Sequence, residues 1–334
     1  MRVLVTGGCG FIGSHAVGAF LADGWEVTNL DKLTYAGNLA NVADAEQDPR
    51  YRFVQGDICD ATLVRELVAG QDLVVNFAAE THVDRSLIDP GMFVRTDVEG
   101  VVCLLEAIRA DRRAALIHMS TDEVFGSLPE PEEAAEERPF APSSPYSASK
   151  AAAELMIRAY SETYGLPATI VRSCNVYGPN QHHEKFIPLF TLRALAGEAM
   201  PLYGDGMQQR EWLYVEDLVE AIRMAARALP ASGTVALHAG SGERVPNIEI
   251  ARRICELTER PASLIQPVAD RPGHDRRYAL DSSRLRALGW APRVPLSDGL
   301  ERTVAWYGRH GSERLSGDRE FPEYFQRQYG QRFP

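Results

Sequence analysis

Three glycines between an apolar strand and a helix most strongly limit how this chain can fold. The chain opens with RVLVT, continues through TGGCGFIGSH, and then places apolar residues at helical spacing. Gly7, Gly10 and Gly13 form the pattern GxxGxxG. Glycines at such a junction allow a tight turn and bring backbone amides close to a pyrophosphate at the positive end of the helix. The loop therefore predicts a dinucleotide-binding unit.

Apolar runs of strand length alternate with amphipathic stretches of helical length through the first half of the chain. The strand-like runs are RVLVT, WEVTNLD, YRFVQGD, DLVVNFAA and AALIHMS. Apolar strands separated by helices indicate a parallel sheet covered on both faces. We predict an α/β fold, a Rossmann-type doubly wound parallel sheet with a smaller C-terminal α/β substrate-binding domain.

The second half of the chain is less regular. Residues 127–145 are rich in Pro, Glu and Ser and are expected to form an exposed loop. Helices are predicted over residues 147–164 and 215–228, a strand and a turn over PATIVRSCNVYGP, and shorter elements from there to the end.

Charge and cysteine usage exclude several classes of protein. The net charge of -11 argues against a nucleic-acid-binding surface, which needs a basic excess. No stretch is apolar enough for a membrane span or a signal peptide. Five cysteines without CxxC spacing indicate reduced thiols and a cytoplasmic protein. Eight histidines without ligand spacing give the prediction of no metal, with His182 and His183 as pocket-wall or surface residues.

An acidic residue at the end of the second strand indicates which dinucleotide binds. Asp31 lies 31 − 13 = 18 residues after Gly13, near the ~20 expected for the acid that binds the adenosine ribose. Because a carboxylate there would repel a 2′-phosphate, we predict NAD. Lys32 is interpreted as a solvated charge, and Asp57 is expected to accept from the adenine amino group.

Tyr146 and Lys150 stand four residues apart in YSASK, so a helix projects both from one face. We expect Lys150 to lower the pKa of Tyr146 and to contact the nicotinamide ribose, so that the phenol can take a proton from a substrate hydroxyl. Thr121 follows a central apolar strand, whose carboxyl end faces the cofactor. The three residues together predict a hydride-transfer site.

Two adjacent carboxylates, Asp122 and Glu123, come directly after Thr121. Elimination of water next to a ketone needs a base for the carbon-bound proton and an acid for the departing hydroxyl. Neighbouring carboxylates can take both roles if their surroundings separate their pKa values. A simple sugar epimerase has no need of such a pair.

The motifs TGGxGxxG, Thr121 and YxxxK resemble the extended short-chain dehydrogenase/reductase family. The longer stretches DKLTYAGNL, NFAAETHVDRS, TDEVFG, YSASKAAAE and DRPGHDRRYALD are similar to nucleotide-hexose 4,6-dehydratases, above all those acting on dTDP-glucose. The resemblance implies a hydro-lyase that oxidises C4 of a dTDP-hexose, removes water across C5 and C6 and returns the hydride to C6, for deoxysugar biosynthesis.

The resemblance also assigns site residues. Thr121, Tyr146 and Lys150 would run the redox step, with Asp122 as acid and Glu123 as base. The implied cofactor contacts are Gly7, Gly10, Phe11, Ile12, Gly13, Asp31, Lys32, Thr34, Asp57, Ile58, Ala78, Ala79, Thr96, Tyr146 and Lys150. The implied substrate contacts are His82, Ser86, Asn175, Lys185, Arg210, Asn247, Arg271 and His274.

The same resemblance divides the chain into two domains. Residues 1–175, with residues 213–240 returning to them, are assigned to the NAD-binding Rossmann domain. Residues 176–212 and 241–334 are assigned to the nucleotide-sugar-binding domain. The helical stretches 92–110 and 147–164 resemble those that form a four-helix dimer interface in this family, so a homodimer is expected.

Three departures from the family pattern leave alternatives open. Val176 replaces the second Asn of an Asn-Asn-Tyr-Gly-Pro motif, His182 and His183 replace an aromatic-proline pair, and Asp97 replaces an Asn. A UDP-sugar is therefore an alternative substrate, and a UDP-sugar 4-epimerase or decarboxylase is an alternative enzyme. A non-catalytic NAD-responsive regulator on the same fold is a further alternative.

Overall fold

The computed structural model describes residues 1–316, 318 and 320–330. The strands in this part of the chain are β1 (Arg2–Thr6), β2 (Glu26–Asp31), β3 (Tyr51–Gln55), β4 (Leu73–Asn76), β5 (Ala115–Thr121), β6 (Ala168–Ser173), β7 (Asn175–Tyr177), β8 (Met200–Tyr203), β9 (Gln209–Tyr214), β10 (Thr234–Ala239), β11 (Arg244–Pro246) and β12 (Ile265–Val268). The α-helices are α1 (Phe11–Ala22), α2 (Ala61–Val68), α3 (Val83–Ile88), α4 (Pro90–Phe93), α5 (Gly100–Asp111), α6 (Pro145–Tyr164), α7 (Phe186–Ala196), α8 (Val215–Arg227), α9 (Asn247–Leu257), α10 (Ser283–Ala287), α11 (Leu296–Ser316) and α12 (Phe321–Tyr329).

Seven strands form one parallel sheet in the order β10-β6-β5-β4-β1-β2-β3. Every residue of β4, β5 and β6 is buried, because helices cover both faces. Val3 and Val5 pack into a core with α1 and α8, whereas Leu4 packs on the opposite face with α2, α5 and α6. The predicted doubly wound Rossmann-type fold is confirmed.

The strand order reverses between β1 and β4. From β1 the chain proceeds to β2 and β3 on one side, and from β4 to β5, β6 and β10 on the other. A crevice forms at the carboxyl ends of the strands where the order reverses, and ligands of such sheets bind there. The glycine loop after β1 and the acids after β5 therefore share one edge of the sheet.

Smaller sheets stand beyond the carboxyl ends of the large one. β9 pairs with β7 in parallel and with β11 in antiparallel orientation, and β8 pairs with β12. Cys174 alone separates β6 from β7, and β9 continues directly into α8. The stretch PATIVRSCNVYGP, predicted as a strand and a turn, forms β6, then the additional short strand β7, and then a turn that begins at Pro179.

One of two other expectations holds in part and one is wrong. Residues 127–144 form a loop with most residues exposed, as expected, but Leu128, Ala134 and Glu136 in it are buried. Backbone amides of Leu128 and Ala134 donate to the carbonyls of Arg277 and Ala279, which holds the loop on the protein. The chain also does not end in short elements only, because α11 spans 21 residues.

A buried arginine joins several of these elements. The Arg172 side chain of β6 is fully buried, and its guanidinium donates to both carboxylate oxygens of Glu154 on α6, with a shortest distance of 2.6 Å. It also donates to the carbonyl of Glu136 in the loop, at 3.0 Å. Buried charges of this kind are retained only when paired and hydrogen-bonded.

No helix in the described ranges combines the length and the apolar character that crossing a membrane would require.

Candidate active site

The glycine loop closes one end of a cavity of about 300 Å³ at the sheet crevice. Gly7 has a φ of +71°, and a Cβ atom on it would lie 2.7 Å from the amide nitrogen of Ala78 after β4. A Cβ atom on Gly13 would lie 2.2 Å from the carbonyl oxygen of Gly7. These positions tolerate only glycine, and the backbone they leave bare is the cradle that a pyrophosphate needs.

Every residue assigned to the cofactor lines this cavity. Asp31 is buried, and its carboxylate accepts from the amides of Cys9 and Leu33, both at 2.8 Å. Burial raises the pKa of Asp31, and these two hydrogen bonds partly offset that rise. The acid thus fixes the glycine loop to the end of β2 and retains acceptor capacity for a hydroxyl.

Lys32 is not only a solvated charge. Its ammonium lies 2.7 Å from the Asp57 carboxylate, although 55% of the Lys32 side chain is exposed. The same carboxylate accepts from the amide of Cys59 at 3.0 Å. An adenine amino group that bound to Asp57 would therefore share the carboxylate with Lys32 and with the Cys59 amide.

Helix α6 brings Tyr146 and Lys150 to the cavity. Ser144 caps the helix, since its hydroxyl accepts from the Ser147 amide and the Ser147 hydroxyl accepts from the Ser144 amide. Pro145 occupies the first turn, where its missing amide hydrogen is not needed. The tyrosine thus stands one residue inside a firmly started helix.

The pKa values of this pair depart from the expectation. Burial is the main cause that raises the pKa of Tyr146 well above its usual value, and a hydrogen bond with Thr121 partly lowers it. Burial also lowers the pKa of Lys150, which weakens it as a cation. Lys150 therefore does not produce the expected lowering of the Tyr146 pKa within the protein alone.

Beneath Lys150 lies Asp97, one of the departures from the family pattern. Its carboxylate accepts from the Ser149 hydroxyl at 2.7 Å and from the Glu80 amide at 2.9 Å. Burial raises the pKa of Asp97 to about 6, although the charge on Lys150 lowers it. Burial and the charge on Asp97 raise the pKa of Glu80 to about 7. The substitution therefore adds an ionisable group under the catalytic helix.

The two adjacent acids begin a short 3-10 turn directly after β5. The Thr121 hydroxyl accepts from the Glu123 amide and donates to Oδ1 of Asp122, both at 3.2 Å. Oδ2 of Asp122 is buried without a hydrogen-bond partner in the described part of the chain. Such an atom indicates a place where a ligand group is expected.

The surroundings of the two acids differ. Burial raises the pKa of Asp122 well above its usual range, and the neighbouring Glu123 raises it further. Burial also raises the pKa of Glu123, but the charges of Arg271, Arg210 and Lys185 lower it. Burial and the charge on Glu123 favour a proton on Asp122, although Arg210 opposes it, and the cations favour a charge on Glu123, as an acid and a base require.

A second cavity, of about 170 Å³, adjoins the first. Thr81, Glu123, Asn175 and Lys185 line both cavities, so the second acid lies where the two meet. The residues predicted for the substrate that line the second cavity are His82, Asn175, Lys185, Arg210, Asn247, Arg271 and His274.

Ser86, also predicted to contact the substrate, does not reach either cavity. It is fully buried in α3, and its hydroxyl donates to the Val83 carbonyl at 2.6 Å. The remaining substrate residues are held by specific contacts. Lys185 donates to the Thr81 carbonyl at 2.7 Å, and Arg210 donates to the Asp275 carbonyl at 2.8 Å.

Several cavity residues were not identified from the sequence. Asp84 accepts from the Tyr203 hydroxyl at 2.9 Å and lies 3.5 Å from the Arg271 guanidinium. Trp212 and Tyr278 also line the cavity. Asp84 and Tyr278 stand in the stretches NFAAETHVDRS and DRPGHDRRYALD but were not singled out there, and Trp212 reaches the cavity from β9.

A family model described as GDP-mannose 4,6 dehydratase matches residues 4–303, so the chain belongs to the nucleotide-sugar 4,6-dehydratase family, as its motifs predicted. It is 47% identical over 314 residues to dTDP-glucose 4,6-dehydratase of Streptomyces niveus, covering 92% of this chain and 93% of that protein.

Solved structures give the same relationship. DesIV, the dTDP-glucose 4,6-dehydratase of Streptomyces venezuelae, was crystallised with NAD bound and is 45% identical. The similarity covers 93% of this chain and 98% of that one, with a TM-score of 0.90. The NAD complex of UDP-glucose 4-epimerase from Thermus thermophilus is 35% identical, with a TM-score of 0.85 and coverage of 92% and 99%.

Proposed function

We propose that this protein uses NAD to convert dTDP-glucose into dTDP-4-keto-6-deoxyglucose. The observation that carries the proposal is the position of Asp122 and Glu123. They stand beside Thr121 and Tyr146 in the cavity built on the glycine loop, and Glu123 also lines the second cavity. An acid and a base at this junction suit elimination next to a freshly formed ketone.

The residues of the first cavity fit NAD. The bare backbone around Gly7 and Gly13 suits a pyrophosphate, and the carboxylate of Asp31 suits a ribose diol while it disfavours a 2′-phosphate. When bound, NAD supplies the hydride acceptor for C4 and the donor for C6, and its positively charged ring favours the ionised form of a nearby phenol.

The protein's own groups handle the protons. Tyr146, which lines the first cavity with Thr121, takes the proton of the C4 hydroxyl as C4 becomes a ketone. Glu123 then removes the proton at C5, and Asp122 protonates the C6 hydroxyl, which leaves as water. Glu123 returns a proton to C5 when C6 is reduced. The proton that Tyr146 took from the C4 hydroxyl passes to Asp122, directly or by exchange through solvent, so both groups regain their starting protonation states.

The second cavity carries the positive charge that a nucleotide diphosphate needs. Lys185, Arg210 and Arg271 line it, although the whole chain is acidic. Guanidinium groups suit phosphate oxygens because they offer parallel donors. Oδ1 atoms of Asn175 and Asn247, buried without partners among the described residues, also fit a polar ligand.

The departures from the family pattern bear on the cofactor side. Val176 and His182 line the first cavity, and none of Val176, His182, His183 and Asp97 lines the second. This placement supports a dTDP-hexose over a UDP-sugar, because the substitutions do not reach the cavity assigned to the nucleotide sugar.

Product mass tests the proposal. The purified protein is incubated separately with dTDP-glucose and UDP-glucose, and loss of roughly 18 Da, one water, is expected for dTDP-glucose. Unchanged mass with altered C4 configuration would instead identify an epimerase, and loss of carbon dioxide from a UDP-sugar acid a decarboxylase. Absence of turnover on every nucleotide sugar would favour the regulator and refute the proposal.

We also retain the division of the chain at residue 175, with residues 213–240 grouped with the NAD-binding part. In support, α8 and β10 pack on or pair with the large sheet. Residues 317, 319 and 331–334 of the second part lie outside the described residues.

A cytoplasmic location is supported by five free cysteines, which fit a reducing compartment.

Assembly as a homodimer is part of the same proposal. The region from α3 to α6 exposes large apolar side chains, which are Leu87, Ile88, Met92, Val94 and Leu155, each at least 40% exposed. Exposed apolar groups concentrated in one region are typical of a protein interface. Light scattering at micromolar concentration should give twice the monomer mass, and a monomer would contradict this part of the proposal.

A further inference from the structure

Two neighbouring histidines and a distant aspartate converge beside the first cavity, which His182 lines, and none of the three is among the residues assigned to catalysis. His182 and His183 lie in the turn between β7 and α7, and Asp318 lies between α11 and α12. The Nε2 atoms of His182 and His183 lie 3.3 Å and 2.9 Å from the same carboxylate oxygen, Oδ2 of Asp318. One donor atom from each residue falls within 4.8 Å of the other two.

The two Nε2 atoms are buried and unsatisfied. His183 is 5% exposed, and the Nε2 atoms of both histidines lack a hydrogen-bond partner among the described residues. Their contact with Asp318 is close but does not have hydrogen-bond geometry. Buried polar nitrogens in a native protein are normally satisfied, so these atoms call for a missing partner.

We propose that His182, His183 and Asp318 bind a divalent transition-metal ion of the Zn²⁺ class. Two imidazole nitrogens and one carboxylate oxygen are the donor set that this class accepts, with a water as fourth ligand. With bonds of about 2.0–2.1 Å, ligand atoms of a tetrahedral site lie roughly 3.4 Å apart. The 3.3 Å separation of His182 from Asp318 meets that spacing, and His183 needs a shift of a few tenths of an ångström.

The surroundings would orient His182 as a ligand. Metal on Nε2 requires the proton on Nδ1, and Oε1 of Glu184 lies 3.8 Å from that atom. This oxygen is itself buried without a hydrogen-bond partner in the described ranges, while Oε2 pairs with Arg85 at 2.9 Å. The Glu184 amide donates to Nδ1 of His182 over a long distance of 3.4 Å. If Nδ1 carried the proton, it would give up this contact and donate to the Glu184 carboxylate instead. A carboxylate behind a histidine is the usual support of a metal ligand.

Aromatic rings hold the two imidazoles in place. Tyr35 packs edge-on against His182 with ring centroids 5.3 Å apart, and Phe321 packs edge-on against His183 at 4.4 Å. A cavity of about 720 Å³, lined by all three proposed ligands, can supply the water. The site is thus walled by rings on two sides and open to water on another.

The metal would connect two parts of the substrate site. Lys185 and Glu184, directly after the histidines, line the second cavity, and so does Tyr329 of α12, which follows Asp318. A metal bound to both segments would hold α12 against this cavity. The role is that of a structural tie, separate from hydride transfer and elimination.

Metal titration tests the site. Untagged protein is freed of metal with a chelator and titrated with Co²⁺, whose visible absorption reports tetrahedral nitrogen and oxygen ligands, and with Zn²⁺ in competition. We expect one ion per chain, a higher thermal unfolding midpoint with Zn²⁺, and at least ~10-fold weaker binding after Glu184→Gln, the loss typical of a supporting residue.

Variants of the ligands decide the outcome. His183→Gln and Asp318→Asn should abolish tight binding, whereas His310→Gln, which changes an exposed histidine outside the cluster, should bind like the wild type. Circular dichroism and unfolding in chelator show whether each variant is folded. Absence of binding by the wild type, or wild-type affinity in both folded ligand variants, would mean that the three side chains form only a histidine-aspartate contact.

Discussion

Substitution of the adjacent acids should separate the two halves of the reaction. Asp122→Asn keeps the shape of a side chain whose pKa burial raises well above its usual range, so the folded state should lose about 1 kcal/mol or less. Its effect on elimination should be much larger. Removal of a general acid slows the step by ~10²–10⁴-fold, or about 3 to 5 kcal/mol of transition-state stabilisation.

Single-turnover measurements with dTDP-glucose distinguish the steps. For Asp122→Asn, reduced-nicotinamide absorbance should appear at the normal rate and persist, and C5 should still exchange with solvent deuterium, while release of water slows. For Glu123→Gln, the absorbance should also appear, but exchange at C5 should be lost because the base is gone. The three cations that lower the Glu123 pKa are the reason to assign it this role.

Tyr146→Phe is the contrasting variant. It removes the group that takes the C4 hydroxyl proton, so no reduced nicotinamide should form at all. Circular dichroism and thermal unfolding serve as folding controls for all variants. A folded Asp122→Asn, Glu123→Gln double variant that dehydrates at the wild-type rate would refute the assignment of acid and base.

Three further predictions concern the cofactor loop, the acid under α6 and the buried arginine. Gly13→Ala should weaken NAD binding strongly, as measured by calorimetry, because the added Cβ atom would clash with backbone atoms. Gly18→Ala in the same helix has open space around it and should stabilise the folded protein by about 0.5–1 kcal/mol. Equal NAD affinity in the two variants would contradict this prediction. Burial raises the pKa of Asp97 from 3.8 to about 6, so ionisation of this carboxyl group costs stability as pH rises through that range. The free energy of unfolding of Asp97→Asn, measured with denaturant, should therefore rise by up to about 3 kcal/mol relative to the wild type between pH ~4 and ~8. A difference that does not depend on pH would contradict this. Arg172→Met leaves the buried Glu154 carboxylate with only the Ser120 hydroxyl and the more distant Arg158, and it should cost about 3–5 kcal/mol. Arg113→Met at an exposed pair should cost less than about 1 kcal/mol, and similar losses would contradict the role of burial.

The cofactor half of the site could be predicted from the sequence because it depends on local patterns. The glycine loop, Asp31 and the Tyr146–Lys150 pair each follow a strand end or share a helix face, and parallel strands bring such positions to one edge. The second cavity is different. Tyr203 and Trp212 reach it on β8 and β9, which pair with strands far apart in the chain, and Asp84 reaches it from α3, an arrangement that no local pattern records.

Helix α11 was missed for a related reason. Gly299 and Gly311 reduce its helix propensity by about 1 kcal/mol each, so the sequence favours shorter elements. In the folded protein they serve close packing, since a Cβ atom would lie 2.2 Å from the Tyr177 hydroxyl and 2.3 Å from Leu192, respectively. Tertiary contact explains these glycines, and it is invisible in the local sequence.

The single residue between β6 and β7 limits how the site can open. Asn175 is tied to the large sheet through Cys174, and β9 enters α8 without any linker, so only the third crossing, residues 240–243 between β10 and β11, forms a linker. The two direct connections restrict a clamshell rotation about the third. Entry of a nucleotide sugar must therefore depend on movement of side chains and peripheral segments such as α12, and the two halves are expected to melt in one cooperative transition.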